Sequence, residues 1–410
     1  MNGSPGRAAI PRKERISRSM GESGSKPIFS QIGPLLLLVW IFLINFLSRI
    51  IFSPLLPTIE KDLAIGHGEA GSLFLVLSLG YCIMLVASGF VTSRLHHGRA
   101  IALSAIVMAA SLFAISLSRN VWGFQAGLFF LGLSAGLYLP SGIATITDLV
   151  RSEDWGKAIA IHEFAPNLGF VAAPFVVDVL LDVLGWREIL GGLGIVSLFS
   201  GLVFMRLGKG GSFCGELPKM GTLRSIVAQP SFWIITVLLS LGIGSSFGIY
   251  SMLPLYLISE RRLESSWANA LVGLSRIPTV GTPILAGWFT DRLGPKRTLG
   301  LLFLVAGACA ILLGLLDGSW MIAMVFLQPM VASALFPPAF TALARLGSSA
   351  LKNVIVSLVM PVGFLLGGGG VPAALGFIGE WRSFSLGIML FGGIVLGGAV
   401  LSRRLRFREE

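Results

Sequence analysis

The sequence predicts an all-α membrane protein of twelve membrane-spanning helices arranged as two six-helix bundles. Of its 410 residues, 54% are hydrophobic and only 12% are charged, which is more apolar surface than one soluble core can bury. A helix needs about 20 apolar residues to cross a bilayer. Twelve runs of roughly that length are predicted at residues 32–57, 70–92, 100–118, 121–147, 157–182, 189–206, 231–257, 266–290, 298–316, 320–345, 353–378 and 383–402.

The positions of Lys and Arg support this count and indicate the topology. With both termini in the cytoplasm, 23 of the 31 Lys and Arg residues fall on that side, as the positive-inside rule requires. The net charge of +11 then follows from topology and argues against a nucleic-acid partner. We therefore expect a multi-pass protein of the cell (inner) membrane, with both termini cytoplasmic.

The chain divides into five predicted segments. Residues 1–30 are polar and basic, and we expect a disordered cytoplasmic tail, because no cleavage site follows the first apolar run. Residues 31–206 form the N-terminal bundle, 207–229 a cytoplasmic linker, and 230–402 the C-terminal bundle. The basic tail 403–410 is expected to contact lipid headgroups. The three cysteines lack disulfide or metal spacing, so neither a metal nor another cofactor is expected.

The most informative loop is GWFTDRLGPKR, residues 287–297, between the eighth and ninth apolar runs. A related loop, GFVTSRLHHGR, lies 198 residues earlier at 89–99, which predicts a duplicated chain. The pattern resembles the signature loop of the major facilitator superfamily, secondary transporters that carry it after their second and eighth helices. The resemblance implies parallel six-helix halves and alternating access. It also implies a gating role for Gly89, Arg94, Asp291, Arg292, Gly294 and Arg297.

The first helix resembles one branch of that superfamily, the anion:cation symporters and their organophosphate relatives. Asn45, an aromatic residue and Arg49 precede a Pro-x-Ile-x-x-Asp-Leu segment at 57–63. In that branch the arginine of the first helix contacts the anionic substrate, and the match transfers this role to Arg49. The sequence departs from the branch at Ser48, where an acidic residue is usual, and the fourth helix lacks the arginine and acid of many proton-coupled members.

Charged residues inside predicted helices are candidates for function, because each costs about 2.5–3.5 kcal/mol at the bilayer centre. Arg49, Arg276 and Glu163 share helix faces with other polar groups. Two positive charges and one negative favour an anion, and a guanidinium can bind a carboxylate at two points. The predicted substrate site comprises Arg49, Arg276, Asn45, Tyr250 and Asn167, and the predicted proton-coupling residues are Glu163 and His162.

Other interpretations of these residues stay open. Arg49 could extend toward the membrane surface, and Arg276 could be tied to a carbonyl of a neighbouring helix. Glu163 and His162 could belong to the cytoplasmic gate, and Asn167 and Tyr250 could be packing hydrogen bonders.

For the whole protein we expect secondary active transport of a small organic anion, with a carboxylate as first choice. We expect a coupled proton or other ion, contact with membrane lipid and a monomeric state. Efflux of a cationic or amphiphilic drug, with Glu163 as its counter-charge, is one alternative, and a transport-inactive membrane sensor is another. No motif for an enzyme was found.

Overall fold

A computed structural model describes residues 27–215, 227–345 and 349–406, where the chain forms helices and connecting turns. Residues 1–26 of the predicted N-terminal tail, residues 216–226 of the linker and the last four residues lie outside these ranges. The N-terminal bundle consists of α1 (Ile28–Leu63), α2 (His67–Arg94), α3 (His97–Leu117), α4 (Val121–Leu149), α5 (Trp155–Leu181) and α6 (Trp186–Leu207). The C-terminal bundle consists of α7 (Pro230–Glu260), α8 (Ser265–Leu293), α9 (Pro295–Leu315), α10 (Gly318–Ala344), α11 (Ser349–Trp381) and α12 (Phe384–Ser402).

Eleven helices in the described ranges are individually long and apolar enough to span a membrane, and α8 is the exception. It consists of two helices, Ser265–Leu274 and Thr282–Leu293, joined by a 3-10 turn at Pro278–Val280. Proline lacks a backbone N–H and disfavours helical geometry in the residue before it, which explains the break. The prediction of one continuous eighth helix is therefore wrong at its centre, and Arg276 lies at the break.

The helices α7 and α11 each contain a π-helical segment, at Gly244–Gly248 and Phe364–Gly370. Such segments are uncommon and often mark functional sites. Glycine allows the backbones of α7 and α11 to touch here. A Cβ atom on Gly367 would lie 2.3 Å from the carbonyl oxygen of Ser240 and 2.6 Å from the backbone nitrogen of Gly244. The middle of the C-terminal bundle is thus an irregular pair of helices in backbone contact.

The two bundles contact each other on the side opposite the chain termini, which we call the distal side. A Cβ atom on Gly71 of α2 would lie 2.4 Å from the carbonyl oxygen of Pro372 in α11. Near the same corner, the backbone N–H of Gly68 donates to Oε2 of Glu380 at 2.8 Å. Between α1 and α7, the hydroxyl of Ser53 donates to a backbone carbonyl at 2.8 Å. Helix backbones in direct contact therefore close the distal side.

The hydrophobic core follows the same division. One large cluster of buried side chains runs through both bundles and includes the distal contacts. A smaller cluster is confined to the termini side of the N-terminal bundle, around Leu38, Tyr138 and Phe204. The bundles are thus joined distally, while the N-terminal bundle keeps a separate core near the termini.

Replacing Gly71 by valine is expected to open the distal side. The new side chain would collide with backbone in α11, which cannot yield as a flexible side chain can. We expect a population with a longer distance between spin labels at Arg119 and Ser319, measured by electron–electron double resonance after the three native cysteines are replaced.

The matched control is Gly393→Val in α12, where an added Cβ atom meets nothing within 4 Å. It should leave the distance distribution unchanged. An unchanged spin-label distance distribution in the Gly71 variant, or an equal shift in the control, would show that this glycine contact does not hold the distal side closed.

Candidate functional site

The two intramembrane arginines lie at the ends of one connected group of aromatic rings, which we call the aromatic cluster. Adjacent rings are 4.8–5.8 Å apart between centroids, the spacing of favourable edge-to-face contacts. The members come from α1, α2, α5, α7 and α11 of both bundles. They are Phe46, Tyr81, Phe170, Phe247, Tyr250 and Phe364.

Arg49 lies at the α1–α2 end of the aromatic cluster and is only 8% exposed. Its guanidinium carbon is 4.5 Å from the ring centre of Tyr81 and 5.2 Å from that of Phe46, within the range of cation–π attraction. Its Nε atom is buried and has no hydrogen-bond partner. This burial between helices rules out an arginine extending to the membrane surface.

Arg276 lies at the other end and is 3% exposed. Its guanidinium carbon is 4.4 Å from the ring centre of Phe170 and 4.6 Å from that of Tyr250. Nη2 donates to the carbonyl oxygen of Ser246 at 2.7 Å, and Nη1 approaches the hydroxyl of the same residue at 3.3 Å. The hydrogen bond from Arg276 to a carbonyl of the neighbouring helix α7 is therefore present, whereas Nε of Arg276 is buried without a hydrogen-bond partner.

Neither arginine is paired with an acidic side chain in the part of the chain that the structure describes. The ion pairs found there join other residues, on loops, helix ends and the α5 surface. A buried cation without a counter-charge is strongly unfavourable. Aromatic faces and one carbonyl offset part of that cost, while both Nε–H groups remain available. The arrangement can therefore accept an anion along the guanidinium edges.

The other predicted substrate residues are placed differently. Tyr250 belongs to the aromatic cluster, and its hydroxyl donates to the carbonyl of Phe170 across the two bundles at 3.2 Å. Asn45 lies instead in a small space between α1, α3 and α6, near Ser104, so the structure does not bring it to the arginines. Asn167 is half-buried, and its amide donates to the carbonyl oxygen of Glu163 one turn earlier at 3.1 Å.

His162 and Glu163 are adjacent on α5 but lie in opposite environments. His162 is fully buried and stacks on Phe42 at 4.2 Å, whereas the Glu163 side chain is 49% exposed. The Tyr138 hydroxyl donates its one proton to the carbonyl of Leu38 at 2.7 Å. Its oxygen must therefore accept from Nε2–H of His162, which is 3.0 Å away.

This assignment leaves Nδ1 of His162 facing Oε1 of Glu163 at 3.5 Å. Nδ1 is buried and has no hydrogen-bond partner. A hydrogen bond between the two groups would need one proton, carried either by Nδ1 or by the carboxyl group. The Phe42 ring on which His162 stacks also contacts Phe46 of the aromatic cluster, at 6.5 Å between centroids. The role of the pair in proton coupling stays a prediction.

The signature loops lie on the termini side, one at the end of each bundle's second helix. Gly294 adopts φ +79°, which favours glycine, and the Arg292 guanidinium stacks 4.0 Å over Trp288. The Asp291 side chain is exposed, as are Arg297 and, in the first loop, Arg94; Gly89 is half-buried. Their gating role stays a prediction.

Of the six rings in the aromatic cluster, the predicted site contains only Tyr250, so sequence reasoning left five of them out. Tyr81 could have been found, because tyrosine is rare here, with only four in the chain, and it sits in an apolar run. Phe247 and Phe364 carry no such signal, since 28 phenylalanines are spread over the sequence. Both lie in the π-helical segments of α7 and α11, and their rings meet at 5.3 Å only because these two helices pack together.

Two six-helix bundles with buried arginines near their interface are the architecture of a secondary transporter. A profile of the Major Facilitator Superfamily matches residues 38–346, and the chain belongs to that family. Its members among the relatives are transporters and not enzymes.

Three relatives illustrate the range of named substrates. A probable nitrate transporter, NarT of Staphylococcus epidermidis, is 22% identical over 66% of this chain and 70% of its own length. A probable sulfoacetate transporter, SauU of Cupriavidus necator, is 25% identical over 72% and 70%. The quinolone resistance protein NorA of Staphylococcus aureus is 25% identical over 52% and 56%.

Among solved structures, a bacterial homologue of the human lysosomal transporter Spinster, in an inward-facing and occupied conformation, superposes with a TM-score of 0.79. It covers 93% of this chain and 98% of its own, at 16% identity. At this identity the likeness establishes the fold alone.

Arg276→Lys is expected to weaken anion binding about 10- to 100-fold, since a lysine keeps the charge but loses the planar fork and its stacking. Binding is measured by titration of the purified protein. Arg292→Lys, which makes the same change in the exposed loop, is the matched control and should bind normally. Equal affinity in the Arg276 variant and the wild type would exclude this side chain from the site.

Proposed function

We propose that the protein is a secondary active transporter that moves a small organic anion across the cell membrane by alternating access, with both termini cytoplasmic. The observation that carries this proposal is the pair of buried arginines, Arg49 and Arg276, without an acidic partner among the described residues. An anion between the bundles would supply the missing counter-charge.

A carboxylate fits the donors best. The ring faces of the aromatic cluster cover the guanidinium faces, so only edges are free to donate, and an edge binds a carboxylate in its own plane. The flanking rings favour a compact anion with a planar or apolar part. Relatives named for nitrate and sulfoacetate support the oxyanion class.

Proton coupling follows from the charge on Glu163. When its carboxyl group is protonated, this carboxylate no longer opposes the positive charge of Arg49 and Arg276, and the site attracts the anion more strongly. The proton shared with His162 would therefore be taken up together with the substrate. This linkage makes symport of a proton and an anion the favoured mode.

Screening by thermal shift tests the substrate class. The screen compares monocarboxylates, dicarboxylates, inorganic oxyanions and cationic drugs. A carboxylate that the site accepts should stabilise the protein by about 2.7 kcal/mol at 100 times its dissociation constant, whereas cationic drugs should give no stabilisation. Arg49→Gln is expected to remove the stabilisation by carboxylates. Stabilisation by cationic drugs alone, which the alternative of drug efflux predicts, would overturn the anion proposal.

Glu163→Gln tests the coupling. In the wild type, anion affinity should rise as pH falls, by up to about tenfold per pH unit, because protonation removes a negative charge. The glutamine variant mimics the protonated form, so its affinity should stay high at every pH. Counterflow should continue while uptake driven by a pH gradient is lost.

Glu153→Gln provides the control, since this carboxylate is exposed at the start of α5 outside the site. It should keep the wild-type pH profile. A Glu163 variant with an unchanged pH profile and reduced stability would show a structural role only.

A further inference from the structure

A cavity of about 610 Å³ opens on the termini side of the N-terminal bundle, away from the arginine site. Its walls are α3, the end of α6, and the first residues of the linker between the bundles. It is the region where the first signature loop meets the linker. Nothing in the proposed transport mechanism uses it.

The lining changes from polar to apolar with depth. His96, Arg99 and Ser212 lie at the membrane-surface end, whereas Leu103 and Ile106 of α3 lie deeper. From the start of α3 to Ile106 the helix rises about 13 Å, at 1.5 Å per residue. A polar end and an apolar groove of this depth match the headgroup and upper acyl chain of a phospholipid.

The polar end is positively charged. Arg99 is exposed and forms no ion pair in the described part of the chain. Two further exposed basic side chains, Arg206 and Lys209, do not line the cavity but are the chain neighbours of its lining residues Met205, Gly208 and Gly210. The nearby carboxylate of Asp148 is engaged, because it accepts the N–H of Gly211 at 2.9 Å. The charge therefore favours an anionic headgroup over a zwitterionic one.

We propose that this cavity binds an acidic phospholipid, with its phosphate at Arg99 and His96 and an acyl chain along Leu103 and Ile106. The linker forms one wall and is held to α3 by backbone hydrogen bonds, including Gly98 N–H to Gly211 O at 2.9 Å. A lipid wedged there stabilises the linker on the N-terminal bundle. The anionic leaflet thereby acts on the segment that joins the two moving halves.

The test is native mass spectrometry of the full-length protein released from nanodiscs of phosphatidylglycerol or phosphatidylcholine. We expect the wild type to retain phosphatidylglycerol, and Arg99→Gln to retain at least tenfold less. The matched control is Arg94→Gln, an exposed arginine five residues earlier that does not line the cavity. Leu103→Trp, which fills the groove but keeps the charge, should also lose the lipid.

Three results would overturn the proposal. Equal retention of the two lipids would show that charge does not select the occupant. Equal loss in the Arg94 and Arg99 variants would indicate general surface attraction. Displacement of the lipid by millimolar inorganic phosphate would show that the acyl groove contributes nothing. Because the readout is lipid mass, none of these depends on which substrate is carried.

Discussion

The structure depends most on two buried guanidinium groups that share one set of aromatic rings at the junction of the bundles. Each arginine costs about 2.5–3.5 kcal/mol at the bilayer centre, and a cation–π contact from which water is excluded returns about 2 kcal/mol of that cost. The balance leaves a site that gains from an anion. The rings that contact the arginines come from both halves, so the proposed substrate site and the bundle contact involve the same side chains.

Because both bundles contribute rings around the arginines, binding of an anion at the proposed site would be linked to the contacts that close the distal side. Arg276 belongs to the C-terminal bundle but stacks on Phe170 of the N-terminal bundle. Tyr250 likewise reaches across, through its hydroxyl to Phe170 and through its carbonyl from Ser53. An anion that reorients the Arg276 guanidinium would change contacts on both sides of the interface. A ligand shifts a conformational equilibrium through such differential contacts.

The sequence was sufficient for the fold, because long apolar runs and the Lys and Arg asymmetry are strong signals that act over whole helices. It also identified both arginines, since a charge in an apolar run is conspicuous. It placed Asn45 wrongly with them, because helical spacing gives a face but not the neighbour that the face meets. The break in α8 and the π-helical segments arise from local backbone chemistry and tertiary packing. The hydrophobic periodicity of a helix is evaluated over many residues, so it does not reveal such local irregularities.

The break in α8 has a consequence for how the chain enters the membrane. Its two helices of 10 and 12 residues are about 15 and 18 Å long, and neither alone crosses a hydrocarbon core of about 30 Å. With Arg276 between them, α8 has little capacity to leave the translocon as an independent span. In the folded protein α7 supplies what this segment lacks, because the Ser246 carbonyl accepts a hydrogen bond from the arginine. We therefore expect the contact between α7 and α8 to matter for the stable insertion of a charged and broken segment as well as for the proposed site.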